Sequence, residues 1–161
     1  MPTTEVHVRP ASPDDAATIL RFVRALAEYE REPGAVEATE EVLRAQLASE
    51  RPPFECLIAE LGDAPVGFAL FFTTYSTWRA RTGIHLEDLW VEPQARRRGV
   101  ALALFGAIAR RLVERGGARL EWRVLDWNEL ALGFYRRLGA TPLGEWQTLR
   151  LDGEALQRLA R

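Results

Sequence analysis

Apolar residues recur along the chain in two rhythms, one of strands and one of helices. Val6 to Arg9 alternates and predicts a short strand. Ser12, Pro13 and Asp15 then read as a helix start, with serine at the N-cap, proline at the first helical position and an acid closing a capping-box-like pair. Ile19, Val23 and Leu26 share one helical face, which predicts a helix to about Glu30, broken by Pro33 and Gly34. Thr39 predicts the cap of a second helix carrying Val42, Leu43 and Leu47, ended by Arg51, Pro52 and Pro53. Glu55 to Leu61 and Pro65 to Thr74 flank a Gly62–Asp63 turn and read as a hairpin. Tyr75 to Thr82 is polar and aromatic and reads as a loop, and Gly83 to Val91 as another strand. From Gly99 onward Ala101, Leu104, Phe105, Ile108 and Leu112 form an apolar helix face, with Gly116 and Gly117 as C-cap glycines. Arg119 to Val124 predicts a strand, Asn128 to Leu138 a helix ended by Gly139, Trp146 to Leu151 a last strand, and a short helix closes the chain.

The order is thus strand, two helices, three strands, helix, strand, helix, strand. A meander followed by a strand–helix–strand unit predicts an α/β (α+β) fold: a mixed central sheet flanked by helices, parallel around the helix that opens at Gly99. The 161 residues suit a single domain, 1–161, with one sizeable core. No apolar run approaches the ~20 residues of a membrane span, and MPTTEVHVRP lacks the apolar region of a signal peptide. These features lead us to expect a cytoplasmic protein with no membrane partner. Cys56 is the single cysteine, so no internal disulfide framework is possible. It sits in an apolar strand and reads as a core residue. His7 and His85 lie far apart in sequence and suggest no metal site. The net charge of −2 gives nucleic-acid binding no support. Every cationic side chain other than histidine is arginine.

The stretch LEDLWVEPQARRRGVALALF, from Leu86 to Phe105, concentrates the chemistry. A strand of Leu86, Leu89, Trp90 and Val91 is stopped by Pro93, because proline cannot donate to a ladder. Arg96, Arg97, Arg98, Gly99, Val100 and Ala101 follow, and the helix starts there. Free N–H groups at a helix start, the positive end of its dipole, three cations and a glycine that admits close approach suit a phosphate-rich ligand. A solvated arginine run before an ordinary helix is the plainer alternative.

This segment resembles the acetyl-coenzyme A signature of the GNAT N-acetyltransferases: Gln or Arg, two residues, Gly, one residue, Gly or Ala. It falls on Arg96, Gly99 and Ala101. The resemblance extends over nearly the whole chain through the order of elements. VRPASPDDAATIL, LAEYE, HLEDLWV and WNELALGFYRRLGA further resemble the diamine (spermidine/spermine-type) branch and its relatives that acetylate thialysine-like amino acids. It implies acetyl-CoA as the donor and no metal. The N–H groups from Arg98 to Ala101 would hold the pyrophosphate. Leu89, Trp90 and Val91 would flank the pantetheine arm, with Leu89 and Val91 pairing to it through their backbones. Asn128 and Phe134 would also lie against the cofactor. The branch further implies a homodimer.

An alkylammonium, with a pKa near ~10.4, must lose a proton before it attacks a thioester, and a carboxylate facing the cleft can take it. Glu87 and Asp88 are adjacent, so in a regular strand they face opposite sides unless a bulge intervenes. The resemblance places the base on Glu87, acceptor binding on Asp88, and the general acid for the departing thiolate on Tyr135, which would also touch the cofactor. As residues alone, the acids read equally as exposed strand carboxylates and Tyr135 as a packing residue. Tyr29, Glu30, Trp78 and Trp146 are further acceptor candidates, since an aromatic face or an acid can hold an ammonium. Trp122 and Trp127 read as packing residues. Arg79 and Arg81 in the 75–82 loop, and Arg31 beside Glu30, would repel a polycation and suit an amine that also carries a carboxylate.

The expected activity is acetyl-CoA-dependent N-acetylation of a primary amine on a small molecule: a diamine, a polyamine or a lysine- or thialysine-like amino acid. Attack would be direct, in a ternary complex. The alternatives are a protein or peptide N-acetyltransferase and a non-catalytic acyl-CoA-binding module. The latter would need the Arg96–Ala101 loop but neither Glu87 nor Tyr135.

Overall fold

The computed structural model describes residues 5–161. Contacts divide the chain into two compact units, Met1–Arg123 and Val124–Arg161. The first contains a sheet of five strands: β1 (Val6–Pro10), β2 (Glu55–Leu61), β3 (Ala64–Ser76), β4 (Arg81–Val91) and β5 (Arg119–Trp122). They lie in sequence order, antiparallel from β1 to β4, with β5 parallel to β4. Helix α1 (Ala16–Tyr29) and helix α2 (Glu40–Ala48) separate β1 from β2, and α3 (Val100–Glu114) crosses from β4 to β5. The mixed sheet with its parallel pair around α3 is the expected one.

The local signals act where expected. Pro13 opens a 3₁₀ turn, and the Asp15 carboxylate accepts from the Ser12 N–H at 2.7 Å and from Arg9 at 2.8 and 2.9 Å. Thr39 caps α2 by accepting from the Val42 N–H. Gly62, at φ +64°, makes the two-residue turn between β2 and β3.

Alternation along the strands gives the sheet two apolar faces. Cys56, Ile58, Phe68 and Trp90 pack with Ile19, Leu20 and Phe22 of α1 and Leu43 of α2. The Phe22 and Phe68 rings stack at 5.6 Å. Cys56 is buried in this core, and burial pushes its thiol well up from the ordinary range. On α3, Phe105 meets Trp122 of β5 edge-on at 5.0 Å, and Leu104 and Ile108 are fully buried.

The segment read as a loop over 75–82 is strand at both ends, with a turn only over 77–80. β3 and β4 continue to Ser76 and Arg81, with Tyr75 opposite Thr82. Threonine and tyrosine favour extended backbone, and this outweighs their polarity.

The second unit holds α4 (Glu129–Arg137) and α5 (Gly153–Leu159). Asn128 caps α4 by accepting from the Ala131 N–H at 3.2 Å, and Gly139 follows it at φ +85°. The strand expected over 146–151 does not form. Its apolar residues Trp146, Leu149 and Leu151 are spaced by three and then two, which breaks the alternation a half-buried strand needs. All three are exposed. No helix among the described residues is long and apolar enough to cross a membrane.

Candidate active site

Strand β4 carries an irregularity at its centre. Leu70 of β3 faces Asp88, but the next residue, Phe71, faces Leu86, so Glu87 has no partner in the ladder. This is a β-bulge, with one residue on β3 spanned by an extra one on β4. Its effect can be followed by face. Leu70 packs on the α1 side. Phe72, two residues on, shares that face, and so do their partners Asp88 and His85. Glu87 in turn touches His85, with Nε2 at 3.3 Å from Oε2. The adjacent acids Glu87 and Asp88 are therefore brought to one side of the sheet.

The C-terminal end of α1 supplies the rest of the cluster. Glu30 lies close enough to Asp88 for their charges to interact, and Tyr29 meets Trp90 edge-on at 6.0 Å. Burial pushes the Asp88 carboxyl up to about 6, and the charges of Glu87 and Glu30 add to the effect. Burial also raises Glu30. Glu87 differs from both. It is the more exposed acid, with Arg123 Nη2 3.8 Å from its Oε1 on one side and His85 on the other. No arginine or histidine among the described residues forms an ion pair with Asp88 or Glu30. Two partly buried acids, Asp88 and Glu30, placed side by side suit a bound cation.

Beyond the bulge, β4 loses a neighbour. It pairs with β3 up to Val91 but with β5 only from Gly83 to Leu86. The edge of residues 87–91 on the β5 side carries no ladder. Gly67 of β3 draws that strand close, since a Cβ there would stand 2.7 Å from the Trp90 carbonyl oxygen and 3.3 Å from Val100.

This open edge leads into the arginine loop. A 3₁₀ turn, Pro93–Ala95, follows β4, and the chain then passes through two left-handed residues, Arg97 at φ +61° and Gly99 at φ +81°. Ala103 N–H donates to Gly99 C=O at 2.9 Å as α3 begins, so the amides of Val100, Ala101 and Leu102 precede the helical ladder. Nothing stands within 4 Å of where a Gly99 side chain would begin. Arg97 and Arg98 are exposed. Arg96 turns inward. Its Nε donates to the Val91 carbonyl at 3.1 Å, and its guanidinium lies 4.9 Å from the Trp90 ring and 5.7 Å from Tyr29. A linear amide arm fits the unpaired edge, and a pyrophosphate fits the helix start and its two exposed cations, so these residues suit acetyl-CoA. Among the described residues no group of three or more His, Cys, Asp or Glu gathers as metal ligands.

Of the expected site residues, Tyr29, Glu30, Glu87, Asp88 and Trp90 come together, with Arg96 tied to Trp90 and Tyr29. Trp78 stands apart. It is 89% exposed at the tip of the β3–β4 hairpin, which also carries Arg79 and Arg81. Seven residue steps along the strand separate Arg81 from Asp88, about 23 Å at the usual rise. Within the second unit, Asn128 caps α4, Phe134 and Tyr135 lie on it with ring centroids 5.7 Å apart, and Trp146 is exposed beyond it. The contact of Glu87 with His85 and Arg123 was not anticipated. Its signal is the spacing of His85 and Glu87, two apart on a strand and so on one face.

Residues 20–140 match the model of the Acetyltransferase (GNAT) family, and the chain belongs to that family. It is an N-acetyltransferase. It is 39% identical to the thialysine N-epsilon-acetyltransferase of Bos taurus, over 96% of this chain and 97% of that protein. It is 38% identical to an L-ornithine N5-acetyltransferase of Arabidopsis thaliana, over 74% of this chain and 53% of that one. Among solved structures, an integron cassette protein from the mobile metagenome of V. cholerae superposes with a TM-score of 0.79, at 24% identity and covering 97% of this chain and 98% of that one. That last likeness speaks for the fold alone.

Proposed function

We propose that this enzyme transfers the acetyl group of acetyl-CoA to the side-chain amine of a small amino acid of the lysine, thialysine or ornithine kind, by direct attack in a ternary complex. The single observation that carries the reading is the bulge at Glu87. It sets two carboxylates on one face, beside Glu30 and next to an unpaired strand edge. The names of the relatives support the choice of amine.

The ammonium enters the acids as their missing cation. Asp88 and Glu30 hold it, and Tyr29 adds an aromatic face. Glu87, the more exposed acid, takes the N–H proton directly or through one water. Arg31, next to Glu30, suits a substrate carboxylate. The arm of acetyl-CoA lies along Leu89, Trp90 and Val91, its pyrophosphate on the amides from Arg98 to Ala101, with Arg97 nearby and Arg96 bracing the loop. When bound, acetyl-CoA supplies a thioester carbonyl for the amine to attack and a sulfur that leaves as thiolate. On the family resemblance, the Tyr135 hydroxyl donates a proton to the departing sulfur, and Asn128 and Phe134 line the cofactor. The whole chain, 1–161, acts as one GNAT domain. We further propose a cytoplasmic homodimer, with Trp146 as an acceptor-side aromatic; Trp78, at the hairpin tip, is left out of the acceptor site.

The test is free-CoA release with a panel of diamines, polyamines, lysine analogues and peptides. The highest kcat/KM is expected for an ω-amino acid. A clear preference for spermine, or for a peptide N-terminus, removes the assigned class.

A further inference from the structure

We propose that His85 is a positioning residue for the acetyl transfer: its Nε2–H holds one oxygen of the Glu87 carboxylate and turns the other lone pairs toward the acceptor amine. The inference rests on the reading of Glu87 as base.

Geometry carries it. A bulged residue lacks the ladder contacts that fix the side chains on either side of it. Glu87 is such a residue, and its side chain is 41% exposed. A base must be held within hydrogen-bond reach of the proton it removes. Two groups approach Glu87. Arg123 is 53% exposed, and its Nη2 stands at 3.8 Å from Oε1, beyond hydrogen-bond reach. His85 is only 21% exposed, with Nε2 at 3.3 Å from Oε2. Its ring lies 5.1 Å from that of Phe72, its partner across the ladder. The imidazole is thus braced on one strand and presents an edge to the acid. At this distance Nε2 is within donor reach of the carboxylate, and a hydrogen on it makes the contact attractive, whereas a bare nitrogen would set two lone pairs face to face. The role therefore requires a hydrogen on Nε2. The other charges around His85 are Glu121, opposite it on β5 and 3.7 Å from Arg119, and Asp88 and Glu30 beyond Glu87.

Two variants separate packing from hydrogen bonding. His85→Phe keeps a ring against Phe72 but has no donor. His85→Gln places an amide N–H near the position of Nε2. We expect kcat to fall about 10–10²-fold in His85→Phe, the cost of a misplaced reacting group. It should recover most of that loss in His85→Gln. The KM for acetyl-CoA should stay unchanged in both. The double variant His85→Phe/Glu87→Gln should be no slower than Glu87→Gln alone.

Nitrogen NMR of the free protein gives a readout apart from activity. Nε2 of His85 should be protonated at neutral pH, and its resonances should move on Glu87→Gln while those of His7 stay in place. A wild-type kcat in His85→Phe, additive losses in the double variant, or an unprotonated Nε2 overturns the role of His85 and leaves Glu87 as base. A wild-type rate in Glu87→Gln overturns both. The NMR measurement on the unaltered protein decides the matter if His85→Phe does not fold.

Discussion

Glu87 and Asp88 are neighbours in sequence that point to the same side of β4, because Glu87 is skipped in the β3–β4 register. The two acids are not equivalent. Asp88 sits deeper and is raised to about 6, whereas Glu87 is the more exposed and has His85 and Arg123 beside it. In the proposed reaction this difference suits a division of labour, with one acid receiving the cation and the other removing its proton.

Glu87→Gln keeps the side-chain size but takes up no proton. Turnover should drop by roughly 10²–10⁴-fold, the usual span for a proton-transfer group. The deficit should shrink as pH rises toward the pKa of the amine, where free amine forms without help. Tyr135→Phe should lose a similar factor without that recovery, since the thiolate still lacks its donor. Stopped-time CoA release across a pH series distinguishes the two. A Glu87→Gln enzyme at full speed at neutral pH transfers the base role to Asp88 or to water.

Asp88 leaves a signature in stability. Its folded value, about 6, lies above the ordinary 3.8, so the folded state keeps a proton that the unfolded chain has already lost. Stability therefore falls as pH rises from about 4 to about 6 and stays lower above that window. Asp88→Asn removes the penalty and should stabilise the protein at pH 7 by on the order of 3 kcal/mol, at about 1.4 kcal/mol per pKa unit. The gain should vanish below pH 4. The same variant should raise the KM for the amine. In the wild type that KM should climb as pH falls below about 6. Urea denaturation at pH 4 and pH 7 checks the first claim, and a pH-independent difference between variant and wild type contradicts it.

The opposite sign holds at Asp15. Arg9 donates two hydrogen bonds to its carboxylate and holds it below the usual carboxylate range. The stability this contributes is present above the ordinary value and lost as pH falls through the lowered one. Asp15→Ala should cost about 1–3 kcal/mol at pH 7, the penalty for orphaning partly buried partners. The cost should diminish in acid, as thermal unfolding at several pH values would reveal.

The sequence made most of the framework legible, because its signals were local. Pro13, Thr39, Gly62, Asn128 and Gly139 each acted within four residues of themselves, and the meander and crossover followed from strand spacing. The bulge was foreseen only as a condition. Nothing in LEDLWV distinguishes a regular strand from one that skips Glu87, since the skip is defined by where Leu70 and Phe71 stand on another strand. The contact between His85 and Glu87 has a local signal, their spacing by two on one strand, but that spacing alone does not mark it as a functional pair. Two errors had local causes. The polarity of Tyr75 and Thr82 masks their preference for extended backbone, and the apolar residues of 146–151 suggest a strand although their spacing does not alternate.

Gly99 tests the cofactor assignment. At φ +81° any side chain is strained, by about 1–2 kcal/mol, although there is room for one. Gly99→Val should lower the melting temperature modestly and weaken acetyl-CoA binding severalfold or more, because the added bulk would stand where the proposed site brings the backbone to the pyrophosphate. Calorimetry that finds CoA affinity unchanged in this variant moves the pyrophosphate elsewhere.

The edge of β4 between Glu87 and Val91 has one more consequence. An unsatisfied strand edge is a template for any extended backbone, which makes it a hazard for self-association as well as a seat for a ligand. Here the unpaired stretch is five residues long, closed at one end by the pairing of Leu86 with Trp122 and at the other by the turn at Pro93. That is barely the length of an average strand. A slim, unbranched amide chain can zip into so short a gap, whereas a second polypeptide would collide with both ends. The fold thus keeps its adhesive surface selective by rationing its length.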